Sequence, residues 1–155
     1  MASNRGAMKR VGLLLLLFVS AIAHAIPPDH TALYVQVIRG TDQDKPPGAG
    51  YREIGPKLSA KLSPVFRWKH YWETERKKVL VDPAKVTRVT LAHQRTLEIE
   101  RLKSGDMEVR LFRRSGLVTK ARQSANGRMA ILGGEESSKD SFFVVVRSDE
   151  PIGTE

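Results

Sequence analysis

Alternating apolar and charged residues between His93 and Arg114 predict a β-hairpin. The apolar positions are Leu97, Ile99, Met107, Val109 and Leu111, and the charged positions between them are Glu98, Glu100, Glu108 and Arg110. A period of two is typical of strands with one buried face. We expect a three-residue loop over 103–105 with Gly105 in the left-handed conformation. This register pairs Arg101 with Met107, Ile99 with Val109, Leu97 with Leu111 and Glu98 with Arg110.

The residues before the hairpin predict a strand, a loop, a short helix and a two-stranded meander. Residues 32–39 alternate as a strand, and the Pro- and Gly-containing residues 41–55 are typical of a surface loop. Apolar residues at helical spacing predict a helix over 57–63, which Pro64 either ends or kinks, with a resumption to Arg67 as the alternative. The meander turns at 82–85, where proline occupies the second position.

Two further turns are predicted after the hairpin. The segment 114–116 can form a second three-residue loop, which places Leu111 opposite Thr119 and Phe112 opposite Val118. Asn126-Gly127 is typical of a two-residue hairpin between neighbouring strands.

The closing segment and the number of strands define the fold class. Residues 133–140 are polar and predict a loop, and the continuous apolar run 142–146 predicts a strand covered on both faces. The sequence therefore predicts a mainly β protein of about six to eight strands with one short α-helix after the first strand. A single antiparallel β-sandwich and an open barrel both fit this pattern.

Residues 1–25 have the pattern of a signal peptide. A basic start precedes the apolar run 11–21, and Ala23-His24-Ala25 offers small residues for cleavage. The apolar run is shorter than the roughly 20 residues of a membrane-spanning helix. We therefore expect an exported protein, periplasmic or extracellular, whose residues 26–155 form a single β-rich domain.

Composition restricts the chemistry and suggests a basic surface. The chain has no cysteine, which excludes disulfides and thiolate metal sites. Its net charge is +9, with 26 basic and 17 acidic residues. Three basic residues and no acidic ones lie in the leader, so residues 26–155 carry 23 basic and 17 acidic residues, a net charge of +6. The basic residues are interspersed with acidic ones rather than gathered in one block.

The run from Phe66 to Trp72 contains both tryptophans of the chain. Large aromatic residues contribute strongly to cores, so Phe66, Trp68 and Tyr71 are predicted to be buried and Trp72 to be exposed. An exposed ring among cations suits stacking on bases or sugars. The predicted partner or polyanion surface comprises Arg67, Lys69, Trp72, Arg76, Lys77, Lys78, Arg113, Arg114, Lys120 and Arg122.

The sequence contains no recognisable catalytic or metal-binding constellation. His30, His70 and His93 are far apart, and none has a second ligand at helical or hairpin spacing. Glu98 and Glu100 are predicted to face solvent beside Arg110, which does not suit acid–base catalysis. We therefore expect a non-enzymatic protein with no cofactor and no metal.

The order of elements resembles that of small exported bacterial proteins of unassigned function. The likeness runs from Gly55 to Arg147 and comprises a Leu-rich helix, the run Val65-Phe66-Arg67-Trp68-Lys69-His70-Tyr71-Trp72-Glu73, a β-meander, Gly133-Gly134 and a closing Phe142–Val146 run. The resemblance implies export and a helix-plus-sheet layout, and no site residue is carried over from it. The expected function is an envelope interaction or structural module that binds another protein. The alternative is a module binding a polyanion such as acidic polysaccharide, lipid headgroups or nucleic acid.

Overall fold

A computed structural model describes residues 30–46 and 48–152, without the side chains of residues 135–137. The predicted leader, residues 1–25, lies outside the described residues. Within them the chain forms β1 (Thr31–Thr41), β2 (Arg52–Glu53), α1 (Pro56–Phe66), β3 (His70–Val81), β4 (Thr87–Leu91), β5 (Arg95–Arg101), β6 (Met107–Arg113), β7 (Gly116–Gln123), β8 (Met129–Ser137) and β9 (Asp140–Arg147).

Two antiparallel sheets pack face to face. Sheet A has the strand order β2-β3-β1-β9-β8, and sheet B has the order β4-β5-β6-β7. Alternate apolar residues of both sheets fill the space between them, including Leu33, Val35 and Val37 from β1 and Val144 and Val146 from β9. The prediction of a mainly β protein, consistent with a sandwich or open barrel, is confirmed.

The hairpin of β5 and β6 has the predicted register. Arg101 pairs with Met107, Ile99 with Val109, Leu97 with Leu111 and Glu98 with Arg110. Gly105 has a φ of 86°, in the left-handed region that glycine adopts without strain. Its N–H donates to the Leu102 carbonyl at 2.9 Å and closes the loop. The alternation of side chains was therefore sufficient to fix this pairing.

Helix α1 covers the outer face of sheet A. Leu58 and Leu62 face the sheet and join a second apolar cluster that includes Tyr71, Phe143 and Val145. Strand β9 consequently has both faces buried, one against sheet B and one against the helix. This arrangement confirms the prediction made from its continuous apolar run.

Gly40 permits the close approach of an aromatic ring to sheet A. A Cβ atom on this residue would lie 2.5 Å from Trp68 Cδ1 and 2.9 Å from Phe143 Cε2. The strand β1 continues through Gly40 to Thr41, because Gly40 pairs with Tyr71 on one side and Ser141 on the other. Gly40 is therefore a packing position within the strand rather than its end.

The structure decides between the two predicted helix lengths and adds a short strand to the predicted loop. Helix α1 continues through Pro64 to Phe66, because a proline near the last turn removes one hydrogen bond without preventing helical angles in the next residues. Arg67 then ends the helix in the left-handed conformation and donates its N–H to Ser63 at 3.1 Å. The loop predicted over 41–55 includes β2, which pairs with the first half of β3.

Three turn predictions after the hairpin are corrected. Phe112 lies opposite Leu117, not Val118, because a bulge follows Leu111. Arg114 takes the left-handed conformation in this turn. Leu111 lies opposite Thr119, as predicted. Asn126-Gly127 is not a two-residue hairpin, since β7 and β8 belong to different sheets. The predicted loop over 133–140 is strand as far as Ser137, and only 138–139 form the turn into β9.

Candidate functional site

The predicted basic surface is divided among three parts of the fold. Its members lie after α1 (Arg67, Lys69), in β3 of sheet A (Trp72, Arg76, Lys77, Lys78) and on the hairpin of β6 and β7 in sheet B (Arg113, Arg114, Lys120, Arg122). Strands β3 and β7 belong to separate sheets. The ten residues therefore do not form one continuous surface.

Trp72 is buried, and its predicted exposure is wrong. The side chain is 9% exposed, and its ring stacks against His70 with centroids 6.1 Å apart. Both faces of sheet A are covered here, so Tyr71 and Trp72 are buried on opposite sides of the same strand. Trp72 therefore offers no open ring face of the kind that base or sugar stacking needs. Phe66 and Trp68, expected in the core, are partly buried against the cluster under the helix.

The cations of β3 make contacts within the protein. Lys77 pairs with Glu75 at 2.9 Å and also donates to the Thr90 carbonyl. Burial of the Glu75 carboxyl favours its neutral form, but the Ala92 N–H and the Lys77 ammonium outweigh burial and lower its pKa. Lys78 lies 5.6 Å above the Tyr34 ring, a cation–π contact. These contacts stabilise the edge of sheet A and do not form a ligand site.

The hairpin of β6 and β7 carries an exposed apolar group beside cations. We define the β6–β7 surface as Phe112, Arg113, Leu117, Val118 and Lys120. Leu117 is 54% exposed and Val118 is 45% exposed. Phe112 lies opposite Leu117 on the outer face of sheet B and is half-buried. Val118 is unpaired in the bulge, and a Cβ atom on Gly134 of β8 would lie 3.5 Å from its Cγ1. Exposed apolar side chains flanked by charge are typical of a docking surface.

Glu98 and Glu100 are engaged by an arginine on the outer face of sheet B. Arg110 Nη2 lies 3.3 Å from Glu98 and 2.9 Å from Glu100, and its Nη1 lies 3.0 Å from Glu108. Burial alone would lower the pKa of Arg110, but the three carboxylates raise it. The predicted cross-strand ion pair between Glu98 and Arg110 is confirmed.

A cavity that was not predicted from the sequence lies on the outer face of sheet A, beside the start of α1. Its volume is about 220 Å³. Strands β1 and β3 supply Gln36, Glu73 and Arg76 to its wall. Arg76 Nε and Nη2 each lie 2.9 Å from a Glu73 oxygen, and Arg76 Nη1 donates to the Pro151 carbonyl at 2.7 Å. We call this the Gln36 cavity.

Only weak signals in the sequence pointed to the Gln36 cavity. Gln36 is the one strongly polar residue between Leu33 and Ile38, which is unusual in a strand with both faces buried. Its partner Glu73 is 37 residues away, and the pairing of β1 with β3 brings them together. Strand pairing over that distance cannot be read from a local pattern.

A basic groove lies next to the Gln36 cavity. Its volume is about 530 Å³, and its cations are Lys57, Lys61, Arg128 and Arg147. The hydrogen bond from Arg147 lowers the pKa of Asp149, the carboxylate that also lines the groove, although burial opposes this shift. Three of the four cations, Lys57, Lys61 and Arg128, lie at one side of α1, away from the surface predicted from the sequence.

Searches for membrane, metal and family signatures gave negative results. Among the described residues, α1 is too short and polar to cross a membrane. The described part of the chain also brings together no group of three or more His, Asp and Glu residues that could hold a metal ion. Comparison with protein-family models, curated proteins and solved structures gave no match.

Proposed function

We propose that the protein is a non-catalytic module of the cell envelope that binds another protein through the β6–β7 surface. The observation that carries this proposal is the exposure of Leu117, at 54%, which pairs with the half-buried Phe112, and of its chain neighbour Val118, at 45%. Such a group loses water-exposed apolar area when a partner covers it, which favours association.

The charges around this group indicate the chemistry of the partner. Arg113 and Arg114 lie at the turn between the two strands, and Lys120 lies on the outer face of β7. The neighbouring Arg110 is balanced by three glutamates, so the positive potential is concentrated at the hairpin end. A partner with an apolar anchor and acidic residues around it would complement this surface.

Photo-crosslinking tests this proposal. A photo-reactive residue replaces Leu117, and the matched control carries it at Leu80, which is 61% exposed in β3 of sheet A. Each protein is incubated with its own envelope fraction at roughly 50 mM and 200 mM salt, because apolar docking persists over this range and polyanion binding falls steeply. We expect one protein adduct from position 117 at both salt concentrations, and none from position 80.

Charge reversal completes the experiment. The substitutions Arg113→Glu and Lys120→Glu should reduce the adduct from position 117, because they repel an acidic partner. Equal adducts from both probe positions, or no protein adduct from position 117, would contradict the proposal.

Polyanion binding is a second candidate, and the basic groove favours it. Lys57 and Lys61 are one helical turn apart and face the groove together with Arg128. Four cations against one carboxylate would attract phosphate or sulfate groups. Retention on immobilised dextran sulfate should fall with salt and should drop in Lys61→Gln and Arg128→Gln. The exposed Lys85→Gln serves as control, and equal retention of all variants would exclude a groove-specific role.

A further inference from the structure

The Gln36 side chain presents a buried oxygen to the Gln36 cavity. It is 3% exposed, and its Nε2 donates to Glu73. Because only the Nε2 end of the amide can donate to a carboxylate, this hydrogen bond fixes the orientation of the group. Its Oε1 has no hydrogen-bond partner among the described residues. A buried carbonyl oxygen without a hydrogen-bond partner destabilises the fold, so a ligand that donates a hydrogen bond to it would be favoured.

The start of α1 presents hydrogen-bond donors to the same cavity, and these need an acceptor. Gly55 is the N-cap and makes no side-chain hydrogen bond, and no acidic residue occupies the first turn. The N–H groups of Lys57 and Leu58 have no partner within the helix, since the first turn of an α-helix lacks acceptors for them. The positive end of the helix, with Gly55 and Leu58 in the cavity wall, favours a negatively charged group.

The remaining walls supply two carboxylates, three arginines (Arg52, Arg76 and Arg147) and an apolar region. Glu73 lies beside Gln36, and its two oxygens are held by Gln36 and Arg76. A protonated amine bonded to Gln36 Oε1 would also be attracted by this carboxylate. Ile54 and Ile152 contribute apolar surface to the same cavity. A ligand that fits therefore carries a donor, an anionic group and an apolar substituent close together.

We propose that the Gln36 cavity binds a free α-amino acid with an apolar side chain. The ammonium group donates to Gln36 Oε1, and the carboxylate lies at the first turn of α1. The volume of about 220 Å³ suits a compact ligand of this kind. This site is separate from the β6–β7 surface, because it lies on the outer face of sheet A.

Binding of leucine and valine to the unmodified protein is the first test. Isothermal titration calorimetry should show saturable binding of at least one of them. 4-Methylpentanoate lacks the amine of leucine, and leucinamide lacks its carboxylate. We expect each to bind at least about tenfold more weakly than leucine, because each loses a charge-assisted hydrogen bond. The absence of saturable binding of leucine and valine, or equal binding of 4-methylpentanoate, would overturn the proposal.

Two glutamine variants locate the site. Gln36→Met removes the unpaired oxygen and keeps the side-chain length. Gln123→Met is the matched control, because Gln123 is also 3% exposed and its Oε1 also lacks a partner among the described residues, but it does not line this cavity. We expect Gln36→Met to weaken binding at least about tenfold and Gln123→Met to leave it unchanged. Equal affinities of the two variants would place the ligand elsewhere, and circular dichroism checks that both are folded.

Discussion

Replacement of Leu62 by alanine tests the packing of α1 on sheet A. Leu62 is fully buried, at 0% exposure, in the cluster that contains Tyr71 and Phe143. The change removes three carbon groups, each worth about 0.8 kcal/mol of burial, or about 2.4 kcal/mol in total. Rigid aromatic neighbours limit collapse around the space left behind, so the full loss of unfolding free energy should lie at about 2.7–5 kcal/mol.

Val65→Ala is the control on the same helix. Val65 is 68% exposed, so its truncation should change the unfolding free energy by no more than about 0.5 kcal/mol. Urea unfolding followed by circular dichroism gives both values, and similar slopes against urea show that the two variants unfold from comparable states. If Leu62→Ala were no less stable than Val65→Ala, the helix would not rest on sheet A and the Gln36 cavity would lose one wall.

Three further substitutions, one of them with a matched control, probe other parts of the fold. Gly40→Ala should destabilise the protein by about 1–3 kcal/mol in urea unfolding, because its Cβ would lie 2.5 Å from Trp68 Cδ1. Because the pKa of Glu75 is lowered in the folded state, its ionised carboxylate stabilises the fold above about pH 4.5. This stabilisation is lost as the pH falls from about 4.5 through the lowered pKa. Glu75→Gln should therefore make the melting temperature fall less steeply with acid. Arg110→Met should cost about 1 kcal/mol, partly recovered at high salt, whereas Lys85→Met at an exposed pair should cost almost nothing.

Local patterns predicted the parts of the fold that depend on local pairing. The register of β5 and β6 followed from alternation and from Gly105, since a shift of one residue would turn Glu98 toward the core. The burial of both faces of β9 followed from its apolar run. Each of these predictions needed only residues within a few positions of one another.

The structure around β3 depends on contacts between distant residues and was predicted poorly. Trp72 was assigned to the surface, but it is 9% exposed, on the side of β3 opposite to Tyr71, which packs under α1. Thr74 is an extra residue in β3 opposite Val37 and Ile38, and this β-bulge turns the side chains after it to the other face of the sheet. Gln36 and Glu73 meet through this pairing, so the cavity between them could not be derived from either segment alone.

The position of β9 between β1 and β8 in sheet A has a consequence for how the chain reaches its native state. Its neighbour β1 lies about a hundred residues earlier; Arg39, for example, pairs with Asp140 at a sequence separation of 101. Contacts of this separation must close a long loop of chain, and they are typical of proteins that fold in milliseconds to seconds. During that interval the apolar run 142–146 is open to aggregation, and the charged residues Lys139, Asp140 and Arg147 at its two ends are the kind of gatekeepers that limit it.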